Sequence, residues 1–381
     1  MKGLVLEGGG AKGAFHCGAV KALYDNGYRF DGVAGTSIGA INGALIVQDG
    51  GYETLMKMWS EIKPSDITDL DNLEVTKLFN KEFSGKTFKY WAKQAVKTIN
   101  HLGVPTDKTL SYLSKYINEE KIRKSSMDYA IVTYCLSKRT PLELKKDDIP
   151  LGKMLEYIFA SAYYPAFKLD RMDGMFFIDG GVYNNLPLNV LPQINDYDEI
   201  FAIRTMSKMP HKTVENDRIK VHYICPSEDL GSTVNISRKN INEKIKLGYY
   251  DTLRFIKGYA GYKYYIEGDL LLLDKLVESL TDDERNSLFA AADITANDIY
   301  HKFVEKNGKE YDGKIISFFE SIAAKVEIQK FKIYSFANFL KEITEKDEKF
   351  LTQQEKRFKK KTLQKEVYQK IKGKIIGVIH D

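Results

Sequence analysis

The sequence predicts an α/β fold, with a mostly parallel sheet covered by helices on both faces and a helical stretch at the C-terminal end. Three observations carry that expectation. Short apolar runs alternate with helix-spaced segments twice within the first 50 residues. Strand-like runs rich in β-branched and aromatic residues return between positions 129 and 225. Beyond about Gly258 the chain turns to charged, helix-forming sequence.

Taken in order, Leu4-Val5-Leu6 is a short apolar strand ended by Gly8-Gly9-Gly10. Ala14 to Leu23 has helical spacing and meets a stop at Asn26-Gly27. Phe30 to Ala34 is a second strand, Gly35 to Gly39 a tight turn, and Ala40 to Val47 a small-residue helix halted at Gly50-Gly51. From Tyr52 to about Lys124 a mostly helical insertion is expected, with Trp59, Phe79, Phe83, Phe88, Tyr90 and Trp91 among its lysines. Strands follow at Tyr129 to Cys135, with Leu142-Glu143-Leu144 pairing nearby, and at Met175 to Ile178, Ile200 to Ile203 and Lys220 to Cys225. Helices are expected over Leu151 to Ser161, halted by Pro165, and over Asn240 to Ile256. The expected organisation is an α/β domain over 1–258, containing the insertion at about 52–124, and a basic helical extension over 259–381.

At 381 residues, with 43% hydrophobic and 29% charged residues, the chain has the composition of a folded globular protein. The net charge of +5 is too small to argue for nucleic acid, and no base-reading motif accompanies it. Cys17, Cys135 and Cys225 are scattered and odd in number, which favours a reducing, cytoplasmic setting over a disulfide framework. The first apolar run is shorter than the core of a signal peptide, so secretion by that route is not expected. No stretch approaches the roughly 20 apolar residues that span a bilayer, so contact with membrane is expected only at its surface.

Three motifs carry chemistry. Gly35-Thr36-Ser37-Ile38-Gly39 is a GxSxG sequence between a strand and a helix. A serine hydroxyl is a poor nucleophile unless a strained turn exposes it to a base, and flanking glycines permit such a turn. Taken alone, it also reads as a glycine-rich turn with Ser37 as an N-cap. The run Gly8-Gly9-Gly10-Ala11-Lys12-Gly13 follows the first strand, and its bare backbone N–H groups suit a phosphate or the oxyanion of a tetrahedral intermediate. It is equally a GxGxxG dinucleotide fingerprint, whose ribose-binding acid would have to be Asp31, at the start of the second strand and not its end. Glu7 and Lys12 read as orienting or solvated groups. Ile178-Asp179-Gly180-Gly181 places a carboxylate at a strand end, where it is either a turn aspartate or an active-site group with glycines that leave it room.

These three motifs in this order resemble the patatin-like phospholipases, and Ala160-Ser161-Ala162-Tyr163-Tyr164-Pro165 resembles that family's segment before its DG[GA] turn. The resemblance covers roughly residues 1 to 258. It implies a three-layer α/β/α sandwich and a lipid acyl hydrolase with a Ser37–Asp179 dyad, an oxyanion hole at Gly8, Gly9 and Gly10, and motif glycines Gly13, Gly35, Gly39, Gly180 and Gly181. No cofactor or metal is implied. The partner would be a lipid or fatty-acyl ester, met by peripheral contact with a membrane surface. His16, His101, His211, His222, His301 and His380 are placed by no motif beside Ser37; His16 lies in the first helix, where packing is the expected role. The aromatic insertion would form an acyl groove or lid, and the basic C-terminal segment either a solvated appendage or an anionic-lipid contact. The alternative is a non-hydrolytic regulatory protein using the Gly8–Gly13 loop for a nucleotide or acyl-phosphate.

Overall fold

The computed structural model describes residues 1–67, 104–164, 167–268, 270–303, 309–354 and 363–380. Two compact units follow one another along the chain, Met1–Thr252 and Leu253–Asp381.

The first unit is built on β1 (Lys2–Leu6), β2 (Gly32–Thr36), β3 (Asp128–Cys135), β4 (Thr140–Lys145), β5 (Phe177–Asp179), β6 (Glu199–Ile203) and β7 (Lys220–Ile224). They form one sheet in the order β4-β3-β2-β1-β6-β7, with β5 pairing off this path with β3. The β1–β2, β1–β6, β2–β3 and β6–β7 pairs are parallel, and β4 and β5 run antiparallel to β3. The sheet is therefore mostly parallel and flanked by helices, as expected.

The helices of this unit are α1 (Ala14–Asp25), α2 (Ile38–Asp49), α3 (Glu53–Glu61), α4 (Asp107–Leu113), α5 (Glu119–Lys124), α6 (Met154–Ser161) and the first part of α7 (Arg238–Lys257). Small residues let α2 sit close to the sheet: Gly43 faces Val33 and Tyr129, and the Tyr129 hydroxyl donates to the Ala40 carbonyl at 2.7 Å. The contact of α1 with α7 is closer still, because a Cβ at Gly18 or Gly248 would collide with the opposite backbone. The other sheet face, with Val5, Ala34, Ala130, Val132, Ile200 and Ala202, packs on Leu186, Leu188, Leu191 and Tyr197.

Local chemistry accounts for the shifted boundaries. The helix expected from Leu151 begins at Met154, because Gly152 takes φ +79° and ends the preceding turn, leaving Leu151 exposed. Of the expected aromatic insertion, α3, α4 and α5 are helical, whereas Phe79, Phe83, Phe88, Tyr90 and Trp91 lie outside the described residues. Trp59 is core: it is 1% exposed and its indole N–H donates to the Asn42 side-chain oxygen at 3.0 Å. Pro165 and Lys359–Lys361 also lie outside the described residues.

The second unit pairs β8 (Tyr265–Glu267) in parallel with β9 (Ile333–Ser335) and carries α8 (Leu271–Ser279), α9 (Asp282–Ala291), α10 (Ala296–Phe303), α11 (Lys309–Lys325), α12 (Phe336–Gln354) and α13 (Leu363–His380). It has its own core, including Leu273, Phe319, Phe339 and Ile343. The basic terminal helix α13 buries Val367, Tyr368, Ile371 and Ile375 in that core, while Lys370 pairs with Asp283 and Lys372 with Asp347. Its apolar stripe is thus covered by protein. Among the described residues no helix is long and apolar enough to cross a membrane.

Candidate active site

The site lies where β2 and β5 meet end to end on the same edge of β3. Thr36 pairs with Val132, and the next residue of β3, Thr133, pairs with Asp179. Strand β2 arrives parallel to β3 and β5 arrives antiparallel, so their C-terminal ends face each other. Ser37 leaves one and Asp179 ends the other.

Ser37 sits on a sharp turn with φ 57° and ψ −125°, a left-handed backbone that an L-residue adopts only at a cost of about 1–3 kcal/mol. Glycine at both flanks makes the turn possible: a Cβ at Gly35 would strike the Gly39 carbonyl, and one at Gly39 the Leu6 carbonyl. The Ser37 hydroxyl donates to Asp179 Oδ2 at 2.6 Å, and its backbone N–H donates to Ser161 Oγ at 2.9 Å. Ser37 is 9% exposed, and α2 begins at the next residue, directing the positive end of its dipole at the turn.

Asp179 is anchored at both ends. Its N–H donates to the Tyr163 carbonyl at 2.9 Å, and its Oδ1 accepts the Gly181 N–H at 2.8 Å. Burial pushes its carboxyl up to about 6, against the opposing pull of the hydrogen bonds from Ser37 and Gly181. The first of the two following glycines cannot carry a side chain cheaply, and the second could only if the Asn185 side chain moved. At Gly180 a Cβ would overlap the Val132 carbonyl, and at Gly181 it would lie 2.6 Å from Asn185 Oδ1.

The opening glycine loop crosses the same end of the sheet. The Gly8 N–H donates to the Asn185 carbonyl at 3.0 Å, and the Gly8 carbonyl accepts Thr205 Oγ1 at 2.6 Å. That amide is consumed inside the fold, so Gly8 departs from the donor set expected of Gly8, Gly9 and Gly10. Among the described residues the N–H groups of Gly9 and Gly10 have no internal acceptor. Gly10 takes φ +55°, and the loop is held beyond it by the Ala11 N–H donating to the Thr233 carbonyl at 2.6 Å. Gly13 packs against Ile38, and its carbonyl accepts Asn42 Nδ2 at 3.0 Å.

Glu7, read from sequence as an orienting or solvated group, is an orienting one. It is fully buried, pairs with Arg204 at 3.0 Å and accepts the Thr205 N–H at 2.6 Å, which fixes the hydroxyl that grips Gly8. Asp31 lies at the opposite end of the sheet from the glycine loop and accepts the Lys2 N–H at 2.6 Å, so it is not placed to serve the dinucleotide fingerprint. His16 is fully buried, its Nδ1 3.3 Å from Asn42 Nδ2, and burial holds its ring neutral with a pKa lowered to about 3. Among the described residues no histidine hydrogen-bonds Ser37 or Asp179.

Sequence reasoning missed Asn185 and Thr205 as loop anchors and gave Ser161 no separate role. Asn184-Asn185 follows the Asp-Gly-Gly turn by two residues and precedes an apolar run, a polar pair that had a signal. Thr205 had none, since it matters only through its distance to Gly8.

A family model described as patatin-like phospholipase matches residues 4–192. The chain is similar to "Patatin-like phospholipase domain-containing protein 7" of Rattus norvegicus, 29% identical over 49% of this chain and 12% of that protein. It is also similar to "Lysophospholipase NTE1" of Kluyveromyces lactis, 29% identical over 50% of this chain and 12% of that protein. The match thus spans about an eighth of the length of these curated relatives. Among solved structures, VipD from Legionella pneumophila aligns at a TM-score of 0.42 and 16% identity, covering 99% of this chain and 91% of that one.

Proposed function

Residues 4–192 belong to the patatin-like phospholipase family, and from that premise we propose that the chain hydrolyses carboxylic esters of lipids, as a phospholipase A or lysophospholipase, through a Ser37 acyl-enzyme with Asp179 as base. The observation that carries the reading is the 2.6 Å hydrogen bond from Ser37 Oγ to Asp179 Oδ2. A carboxylate with an ordinary pKa of about 3.9 is a weak base at neutral pH. Burial raises this one to about 6, close enough to the working range to accept a proton during attack.

Ser37 Oγ adds to the ester carbonyl while its proton passes to Asp179. The carbonyl oxygen becomes an oxyanion, which the free N–H groups of Gly9 and Gly10 receive; each such donor is worth on the order of 3 kcal/mol in hydrolases. Collapse breaks the ester C–O bond, and the leaving alcohol takes the proton from Asp179. Water then attacks the acyl-serine, delivers a proton to Asp179, and the fatty acid departs as Ser37 recovers its own. Asp179 is returned to its starting state, so no third side chain is needed.

A fluorophosphonate probe followed by peptide mass spectrometry tests the proposal. The wild-type chain should carry the adduct on Ser37 and release fatty acid from lysophosphatidylcholine, and Ser37→Ala should do neither. Unchanged fatty-acid release by Ser37→Ala would end the reading.

A further inference from the structure

Ser161 holds a position in this site that its place in the sequence does not announce. It is the last residue of α6 and is fully buried. Its hydroxyl makes two hydrogen bonds at once, donating to the Val132 carbonyl at 2.6 Å and accepting the Ser37 N–H at 2.9 Å. A hydroxyl has one proton to give, so donation to Val132 leaves its lone pairs for Ser37 and fixes the direction of the pair. Val132 is the β3 residue that pairs with Thr36, and its carbonyl is also the atom against which Gly180 is pressed. One buried hydroxyl therefore ties the strand under the site to the serine turn, beside the contact that sets the turn after Asp179.

We infer that Ser161 is the positioning residue of the Ser37 turn, holding the Ser37 amide so that the hydroxyl faces Asp179 and the oxyanion is left to the Gly9 and Gly10 amides. This rests on the reading of Ser37 as nucleophile. Two physical facts carry it. The Ser37 backbone lies in the left-handed region, and such a conformation persists only where its surroundings over-determine it. Without Ser161 Oγ the Ser37 N–H would be a buried donor lacking an acceptor, and the turn would relax towards one. In many serine hydrolases the amide of the nucleophile itself helps bind the oxyanion. Here that amide points at α6 and is already satisfied.

The test uses the full chain with Ser161→Ala and Ser161→Thr. Ser161→Ala should lower kcat by roughly ten- to a hundredfold, the cost of a small misplacement of a reacting atom, with KM within about twofold of wild type. The rate constant of fluorophosphonate labelling at Ser37 should fall in parallel. Ser161→Thr keeps the hydroxyl and should restore most of both rates, which a purely structural role would not require. If Ser161→Ala does not fold, Ser161→Cys, similar in size but a weak acceptor, must show the same kcat loss at an unchanged thermal midpoint. Wild-type kcat and labelling in Ser161→Ala or Ser161→Cys would overturn the inference. That outcome is separable from failure of the nucleophile assignment, which is read from Ser37→Ala alone.

Discussion

Asp179 Oδ2 lies 2.6 Å from Ser37 Oγ although 142 positions separate the two residues, because neighbouring residues of one strand, Val132 and Thr133, pair with Thr36 and Asp179. The pair is therefore built on backbone hydrogen bonds of β3. Its distance is set by sheet register and not by a flexible loop.

Replacing Asp179 is expected to separate an effect on activity from an effect on stability. Asp179→Asn should lower kcat by about a hundredfold or more, the scale of a lost general base. The folded carboxyl at about 6 stands above the unfolded value near 3.9, so the unfolded chain releases its proton first. That group's contribution accordingly weakens as pH rises from about 4 to about 6 and is level above. Asp179→Asn should thus gain up to about 3 kcal/mol relative to wild type at pH 8, and lose that advantage towards pH 4. Urea unfolding at the two pH values measures it; an equal difference at both would mean the carboxylate is well solvated.

The acid limb of the rate profile is expected near pH 6, where Asp179 takes up its proton. His16 is the competing candidate, and burial holds its pKa near 3. His16→Gln should keep the limb in place and kcat within about threefold, far from the loss expected of a missing base. For His16 the linkage has the other sign: its folded pKa lies below the unfolded value, so stability is lost as pH falls below about 6.5. Disappearance of the limb in His16→Gln would identify a different base.

Two glycines should respond differently to alanine. At Gly180 a Cβ would overlap the Val132 carbonyl, a backbone atom that cannot swing aside, so Gly180→Ala should cost about 2–3 kcal/mol or prevent folding. Gly27 has a φ of +84° but open space around it, so Gly27→Ala should cost only about 1 kcal/mol and leave esterase activity unchanged. Denaturant midpoints of the pair check the ordering, and a milder effect at Gly180 would contradict the packing described for the Asp-Gly-Gly turn.

Glu7→Gln leaves the Arg204 guanidinium without its buried counter-charge. Removing one partner of such a pair typically costs about 3–5 kcal/mol, reduced here because a glutamine oxygen can still accept the Thr205 N–H. A thermal midpoint lowered by several degrees, with kcat reduced through a loosened Gly8 loop, is the expected result. Unchanged values of both would show that Thr205 holds the loop unaided.

The motif turns were legible in the part of their demands that is local. Gly39 is glycine because a Cβ there would meet the Leu6 carbonyl of β1, but at Gly35 the demand is written in the segment itself, since a Cβ would strike the Gly39 carbonyl across the elbow around a serine at φ 57°. The same holds for Gly10 at φ +55°. Helix ends were less legible: the expected start at Leu151 overlooked Gly152, whose left-handed backbone moves the helix to Met154.

What the sequence determined by itself was the alternation of strands and helices and the three turns that carry Ser37, Asp179 and the opening glycines, since hydrophobic period and allowed φ/ψ depend on near neighbours. Only the tertiary structure decided that β5 meets β2 head to head along β3, that the Gly8 amide is spent on Asn185 while those of Gly9 and Gly10 stay free, and that Ser161 takes up the Ser37 N–H. A hydrogen bond between distant segments has no signature in either segment; it exists because strand register brings a donor and an acceptor within about 3 Å.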